Sequence, residues 1–105
     1  MVQTTNKNLS IIKEFKKNIE KFGIERVIFF GSRARGDFNK DSDFDIIAIS
    51  KNFKDVKWHR RPLEIYLNWD YGYSLEVLCY TPEEFERLKK KIGIVREAVK
   101  EGIEV

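Results

Sequence analysis

Apolar residues along the chain follow two rhythms, and the change from one to the other marks out the elements. Leu9, Ile12, Phe15, Ile19 and Phe22 recur at three- and four-residue intervals, which predicts an amphipathic helix, and Gly23 is a natural stop. Residues 25–30 then predict a first strand, residues 31–36 a short helix or turn, and residues 38–42 a polar loop. In the second strand, residues 42–50, the run Ile46, Ile47, Ala48, Ile49 is apolar on both faces, as in a central buried strand. Residues 51–61 are polar and without period, and Pro62 can open a helix that continues through Leu63, Tyr66 and Leu67 towards Asp70 and ends by Gly72. A third strand over residues 73–80 places Leu75, Val77 and Cys79 on one face and Glu76, Leu78 and Tyr80 on the other. Thr81-Pro82-Glu83-Glu84 has the form of a capping box with proline at the first helical position, Phe85 and Leu88 form the stripe that follows, and a last helix over residues 94–100 stops by Gly102. The expected fold is one α/β (α+β) domain over residues 1–105, a small mixed sheet backed by helices on one side.

Composition narrows the class. The 105 residues are enough for one core, and 42% hydrophobic with 35% charged residues describes a globular chain. No apolar run approaches the ~18 residues of a membrane span and no signal peptide opens the chain, so the expected location is the cytoplasm. One cysteine, Cys79, and one histidine, His59, exclude an internal disulfide and leave no basis for a zinc cluster. A net charge of +3, with dense basic runs only at 59–61 and 89–91, gives no argument for direct nucleic-acid binding.

The chemistry concentrates between Phe30 and Ile49. A Gly31-Ser32 turn at a helix start offers backbone N–H groups, a hydroxyl and the positive end of a peptide dipole to an anion. Asp43 and Asp45, two apart on a strand, point to one face with Cα atoms about 7 Å apart, and can converge on divalent cations. Gly31-Ser-Arg-Ala-Arg-Gly36 fits the first six positions of a Walker A loop, but Asp37 and Phe38 stand where that loop needs Lys and Ser or Thr, which excludes it. Asp-x-Asp alone usually marks a solvated turn. Here it opens a strand apolar on both faces, where acids are costly without a use.

Gly31-Ser32, ten intervening residues and Asp43-Phe44-Asp45 resemble the signature of the nucleotidyltransferase superfamily typified by DNA polymerase beta. The wording Gly31-Ser-Arg-Ala-Arg-Gly-Asp37 and the length resemble its minimal nucleotidyltransferase domain proteins, over roughly residues 9 to 102. The resemblance implies the polymerase beta-like fold and transfer of AMP from ATP to a hydroxyl. Asp43 and Asp45 would then hold two Mg²⁺ ions, and Glu76, on the neighbouring strand, would be the third acid; the family more often has Asp there. A lone glutamate facing solvent from a half-exposed strand is the plainer reading of Glu76. Gly31 and Ser32 would cradle the triphosphate. Of Arg33 and Arg35, which lie on different faces of a short helix, one would reach the nucleotide and the other pair with Asp37 or Asp41.

Proteins of this kind are typically encoded beside a HEPN-family toxin and act as its antitoxin in a type VII pair, some by transferring AMP to a toxin tyrosine, and a hetero-oligomer follows. Trp58, Tyr66, Trp69, Tyr71 and Tyr73 cluster around the third helix, and such aromatics either build a protein interface or cover the core. Two readings therefore stand: an adenylyltransferase acting on a partner protein with Mg·ATP, or a catalytically inactive binding module that neutralises a toxin by contact.

Overall fold

The computed structural model describes residues 5–105. Helix α1, Asn6–Ile19, starts where the Thr5 hydroxyl accepts a hydrogen bond from the Asn8 N–H at 3.1 Å. It buries Ile12, Phe15 and Ile19, the stripe its periodicity predicts, and runs through a 3-10 turn, Glu20–Phe22, to Gly23 at φ +83°. There follow β1 (Arg26–Phe30), α2 (Ser32–Arg35), β2 (Phe44–Ile49), α3 (Leu63–Leu67), β3 (Leu75–Tyr80), α4 (Pro82–Leu88), α5 (Ile94–Glu101) and the two-residue β4 (Ile103–Glu104). The capping box at α4 forms as predicted, Thr81 and Glu84 bonding each other's backbone. Pro62 caps α3 from outside rather than standing at its first position, and the helix ends at Leu67, short of Asp70.

The sheet has the order β3-β2-β1-β4, with β1 antiparallel to β2 and β4 and β2 parallel to β3, so it is mixed. The expectation of helices on one side needs correction. Val27 and Phe29 of β1, with Phe44, Ile46 and Ala48 of β2, pack against α1 and Ile65 of α3; Ile28, Phe30, Ile47 and Ile49 pack on the other face against Phe85 of α4 and Val95 and Ala98 of α5. Both faces are covered because β1 and β2 are apolar on both, and leaving one open would forgo about 1.5–3 kcal/mol per exposed large side chain. The strand β4 was not predicted; two residues carry no readable period.

The aromatic cluster divides. Trp69 packs edge-on against Phe15 at 4.9 Å between centroids, Tyr71 against Phe15 at 6.1 Å and Tyr73 against Phe44 at 5.3 Å, so these three cover the core. Trp58 remains 53% and Tyr66 37% exposed, joined by Leu63 and Leu67 on α3. No helix among the described residues is long and apolar enough to cross a membrane.

Candidate active site

The register of the sheet assembles the site. Asp45 lies in β2 between Phe30, the last residue of β1, and Glu76 of β3, as the paired residue of each. It alternates with Ile47 and Ile49, so its side chain takes the face covered by α4 and α5, at the end where Asp43 and Glu76 are exposed to solvent. Immediately after Phe30, Gly31 turns the chain at φ +82° and ψ −169°. A Cβ there would overlap the Asp45 carboxylate, with Oδ2 and Cγ as its nearest neighbours, so glycine is required both by the dihedral and by the acid pressed against it. The Gly31 carbonyl accepts from the Ala34 and Arg35 N–H groups at 3.1 and 3.0 Å, which starts α2, and no side chain caps the N–H groups at its start. Turn and carboxylate are thus one unit.

Electrostatics register the crowding. The Asp45 carboxyl is raised to about 6, first by burial, then by the charges of Asp43 and Glu76, while Arg35 pulls it down. Among the described residues, no three His, Cys, Asp and Glu side chains already close on a point that could hold a metal. Uncompensated carboxylates repel one another, and Mg²⁺ takes only one or two protein carboxylates with the remainder of its shell from water and phosphate. The hard oxygen donors of Asp43, Asp45 and Glu76, with the Asp45 carboxyl raised first by burial and then by its two like-charged neighbours, fit a divalent cation that arrives with a triphosphate.

The two arginines of α2 part company. Arg33, expected as one of two candidates for the nucleotide, is 3% exposed. Its Nε donates to the Ser42 carbonyl at 2.9 Å and its Nη2 to the carbonyls of Asn39 and Lys40 at 3.4 Å, while the guanidinium lies 4.6 to 4.8 Å from the ring centroids of Phe38, Phe44 and Tyr73. Here it buckles the 39–42 loop that delivers Asp43, since a planar guanidinium can stack on aromatic rings and donate to carbonyls at the same time. Arg35 faces outward, bridges Asp37 at 3.3 Å and Glu101 at 3.4 Å, and is the arginine whose charge reaches Asp45.

Two neighbours escaped the sequence. Asn8 of α1 is buried and donates to the Arg33 carbonyl at 3.4 Å, tying α1 to α2; a polar residue on an otherwise exposed first turn gave no signal. Tyr66 reaches across to β3, where its hydroxyl accepts from the N–H of Val77, next to Glu76, at 3.0 Å. An apolar groove of about 400 Å³ lined by Phe22, Ile24, Phe53, Val56 and Ile65 opens at the opposite end of β1 and β2 and belongs to another surface.

The family model for the nucleotidyltransferase domain matches residues 10–101, which contain every one of these groups except Asn8. A protein of Methanocaldococcus jannaschii assigned as a protein adenylyltransferase is 32% identical over 100 residues, 92% of this chain and 97% of its own. The crystal structure of a protein from Sulfolobus solfataricus, assigned as a nucleotidyltransferase, superposes with a TM-score of 0.60 at 29% identity, covering 77% of this chain and 73% of that one. With the glycine turn seated on the second acid of an Asp-x-Asp pair in a mixed sheet, and this match running through nearly the whole chain, the protein belongs to the nucleotidyltransferase domain family.

Proposed function

We propose that the protein is a protein adenylyltransferase that moves AMP from Mg·ATP to a hydroxyl, a tyrosine of a HEPN-family toxin, and acts in the cytoplasm as the antitoxin of a type VII pair. The observation that carries the chemistry is Gly31 packed against the Asp45 carboxylate, with Asp43 on the same strand end and Glu76 paired beside it: a glycine turn and three acids meet at one sheet end. The protein acceptor is suggested by the assignment of the Methanocaldococcus relative.

In this reading Asp43 and Asp45 would hold Mg²⁺, which when bound would supply charge neutralisation at the triphosphate and a lowered pKa for the attacking hydroxyl. Ser32 and the first N–H groups of α2 bind the β and γ phosphates, with Gly31 admitting them close to the backbone. Arg35 is placed to exchange its surface partners Asp37 and Glu101 for the departing pyrophosphate. Glu76, exposed and next to Asp45 in register, would share the second metal or take the acceptor's proton.

Neutralisation by contact alone has one observation in its favour, the exposed Trp58, Leu63 and Leu67. It leaves three like-charged acids gathered at one sheet end without a purpose. Incubation with Mg²⁺, ATP labelled at the α-phosphate and the HEPN protein encoded beside this chain separates the two. Label on the partner that disappears with Asp45→Asn supports transfer; a stable complex without label leaves contact alone.

A further inference from the structure

We propose that the hydroxyl of Tyr66 is an acceptor for the transfer carried out by its own chain, so that the protein adenylylates itself on α3. The inference rests on the proposed transfer of AMP to protein hydroxyls and adds an acceptor inside the enzyme.

The placement follows from the sheet edge. β3 is an edge strand, and the bonds Phe44 N–H to Ser74 C=O and Ser50 N–H to Tyr80 C=O show that its even-numbered residues turn their backbone towards β2. Residues 75, 77 and 79 therefore turn theirs outward, and side chains from the preceding segment meet two of these groups. The Tyr66 hydroxyl takes the Val77 N–H at 3.0 Å and Arg61 donates to the Cys79 carbonyl at 3.2 Å. Val77 follows Glu76 directly, so standard bond lengths bring the hydroxyl within about 5 Å of the Glu76 Cα. One strand spacing further puts it less than about 10 Å from the Asp45 Cα. Burial raises the Tyr66 pKa, the Val77 N–H opposes this, and the charges of Glu76, Cys79 and Asp43 add to it, so two of the three acids reach this hydroxyl electrostatically.

No other tyrosine combines exposure with this neighbourhood. Tyr71 donates to Glu14 on α1 at 2.8 Å, Tyr73 lies against Arg33 and Phe44, and Tyr80 is buried at the far end of β3, paired with Ile49. The segment carrying Tyr66 is also short. α3 has five residues, buries only Ile65, and begins at Pro62 without a side-chain cap.

In the reaction Tyr66 Oη forms a bond to the α-phosphorus while the bond from that phosphorus to the α–β bridging oxygen breaks. The electron pair leaves with pyrophosphate, and the phenolic proton passes to Glu76 and then to water. The products are Tyr66 O-AMP and pyrophosphate.

The test is peptide mass spectrometry of the purified chain after incubation with Mg·ATP, alone and with the acceptor protein. AMP on the peptide carrying Tyr66, absent in Tyr66→Phe and in Asp45→Asn, is the expected result. Acceptor labelled and Tyr66 unmodified overturns this inference and leaves the proposed function standing; neither labelled sinks both. Mixing active Tyr66→Phe with Asp45→Asn chains tests the route: AMP on the Asp45→Asn chain overturns transfer within one chain. A readout without turnover is the NMR signal of the Tyr66 ring on addition of Mg²⁺ and α,β-methylene ATP. It should move while that of Tyr71 stays, and Asp45→Asn should abolish the movement; an unmoved ring overturns the placement.

Discussion

Two acids beside the parallel strands are treated in opposite ways. Glu84, at the start of α4, receives Arg61 at 2.6 Å and the Thr81 N–H at 2.8 Å, and its carboxyl is held below the usual range, first by the hydrogen bond from Arg61. Arg61 in turn is spent on structure: its side chain is 8% exposed, it donates to the Val56 and Cys79 carbonyls, and it lies over Trp58. Asp45, at the other end of the parallel strands, faces two more acids and a glycine, and its carboxyl is pushed up to about 6. One acid has its partner in the fold and stabilises it. The other is half-buried beside two like charges, and the fold bears that cost.

The sharpest way to break the contrast is to remove the repelling charge. Asp45→Asn and Asp43→Asn should each lower nucleotidyl transfer by at least about a hundredfold, the several kcal/mol expected when a metal ligand at a transferring phosphoryl is lost. Wild-type rates of label transfer in either variant would remove the acids from the reaction. The matching change at the structural acid is Arg61→Ala. It strands Glu84 and two carbonyls, and should cost about 3 kcal/mol in urea unfolding while leaving transfer per folded molecule alone. A loss below about 1 kcal/mol would place that pair among ordinary surface bridges.

Ser32→Ala tests the turn half of the site: ATP affinity should fall about tenfold, the value of a hydrogen bond to a charged group. Titration calorimetry showing no change would seat the triphosphate elsewhere. The smallest effect is on stability against pH. Asp45 has a folded pKa of about 6 against 3.8 unfolded, so the folded state binds its proton more tightly and metal-free protein loses stability as pH rises between those values. Allowing for solvent screening at a half-exposed group, the loss is on the order of 1 kcal/mol. Glu84, lowered from 4.5, contributes with the opposite sign, its stability present above 4.5 and lost as pH falls through its folded value. The difference between wild type and Asp45→Asn in denaturant melts from pH 4 to 7 isolates the first; identical pH profiles would mean the carboxyl is not crowded in solution.

Much of this contrast could be read from residues in order. The strand ends, the Gly31 turn, the Asp-x-Asp pair and the α4 capping box are local patterns, settled by dihedral preference, strand alternation and short-range hydrogen bonds. The double-sided cover was legible too, since Ile46 to Ile49 is apolar on both faces, and the expectation of one helical layer read that run too narrowly. The fates of Arg33 and Arg35 were not legible. Two residues apart on a four-residue helix, they differ only in what lies opposite: Phe44, Tyr73 and the carbonyls of the 39–42 loop for one, Asp37 and Glu101 for the other.

The same division holds for the site as a whole. Sequence alone determined which residues are chemically suited to phosphate and cations and on which elements they sit, because those properties belong to single residues and their neighbours. Tertiary structure decided that Asp45 lies between Phe30 and Glu76, that its carboxylate closes on Gly31, and that Tyr66 comes to the edge beside Glu76. Strand order and register bring Phe30, Asp45 and Glu76 side by side across the sheet, and no local preference along the chain encodes which strands will be neighbours.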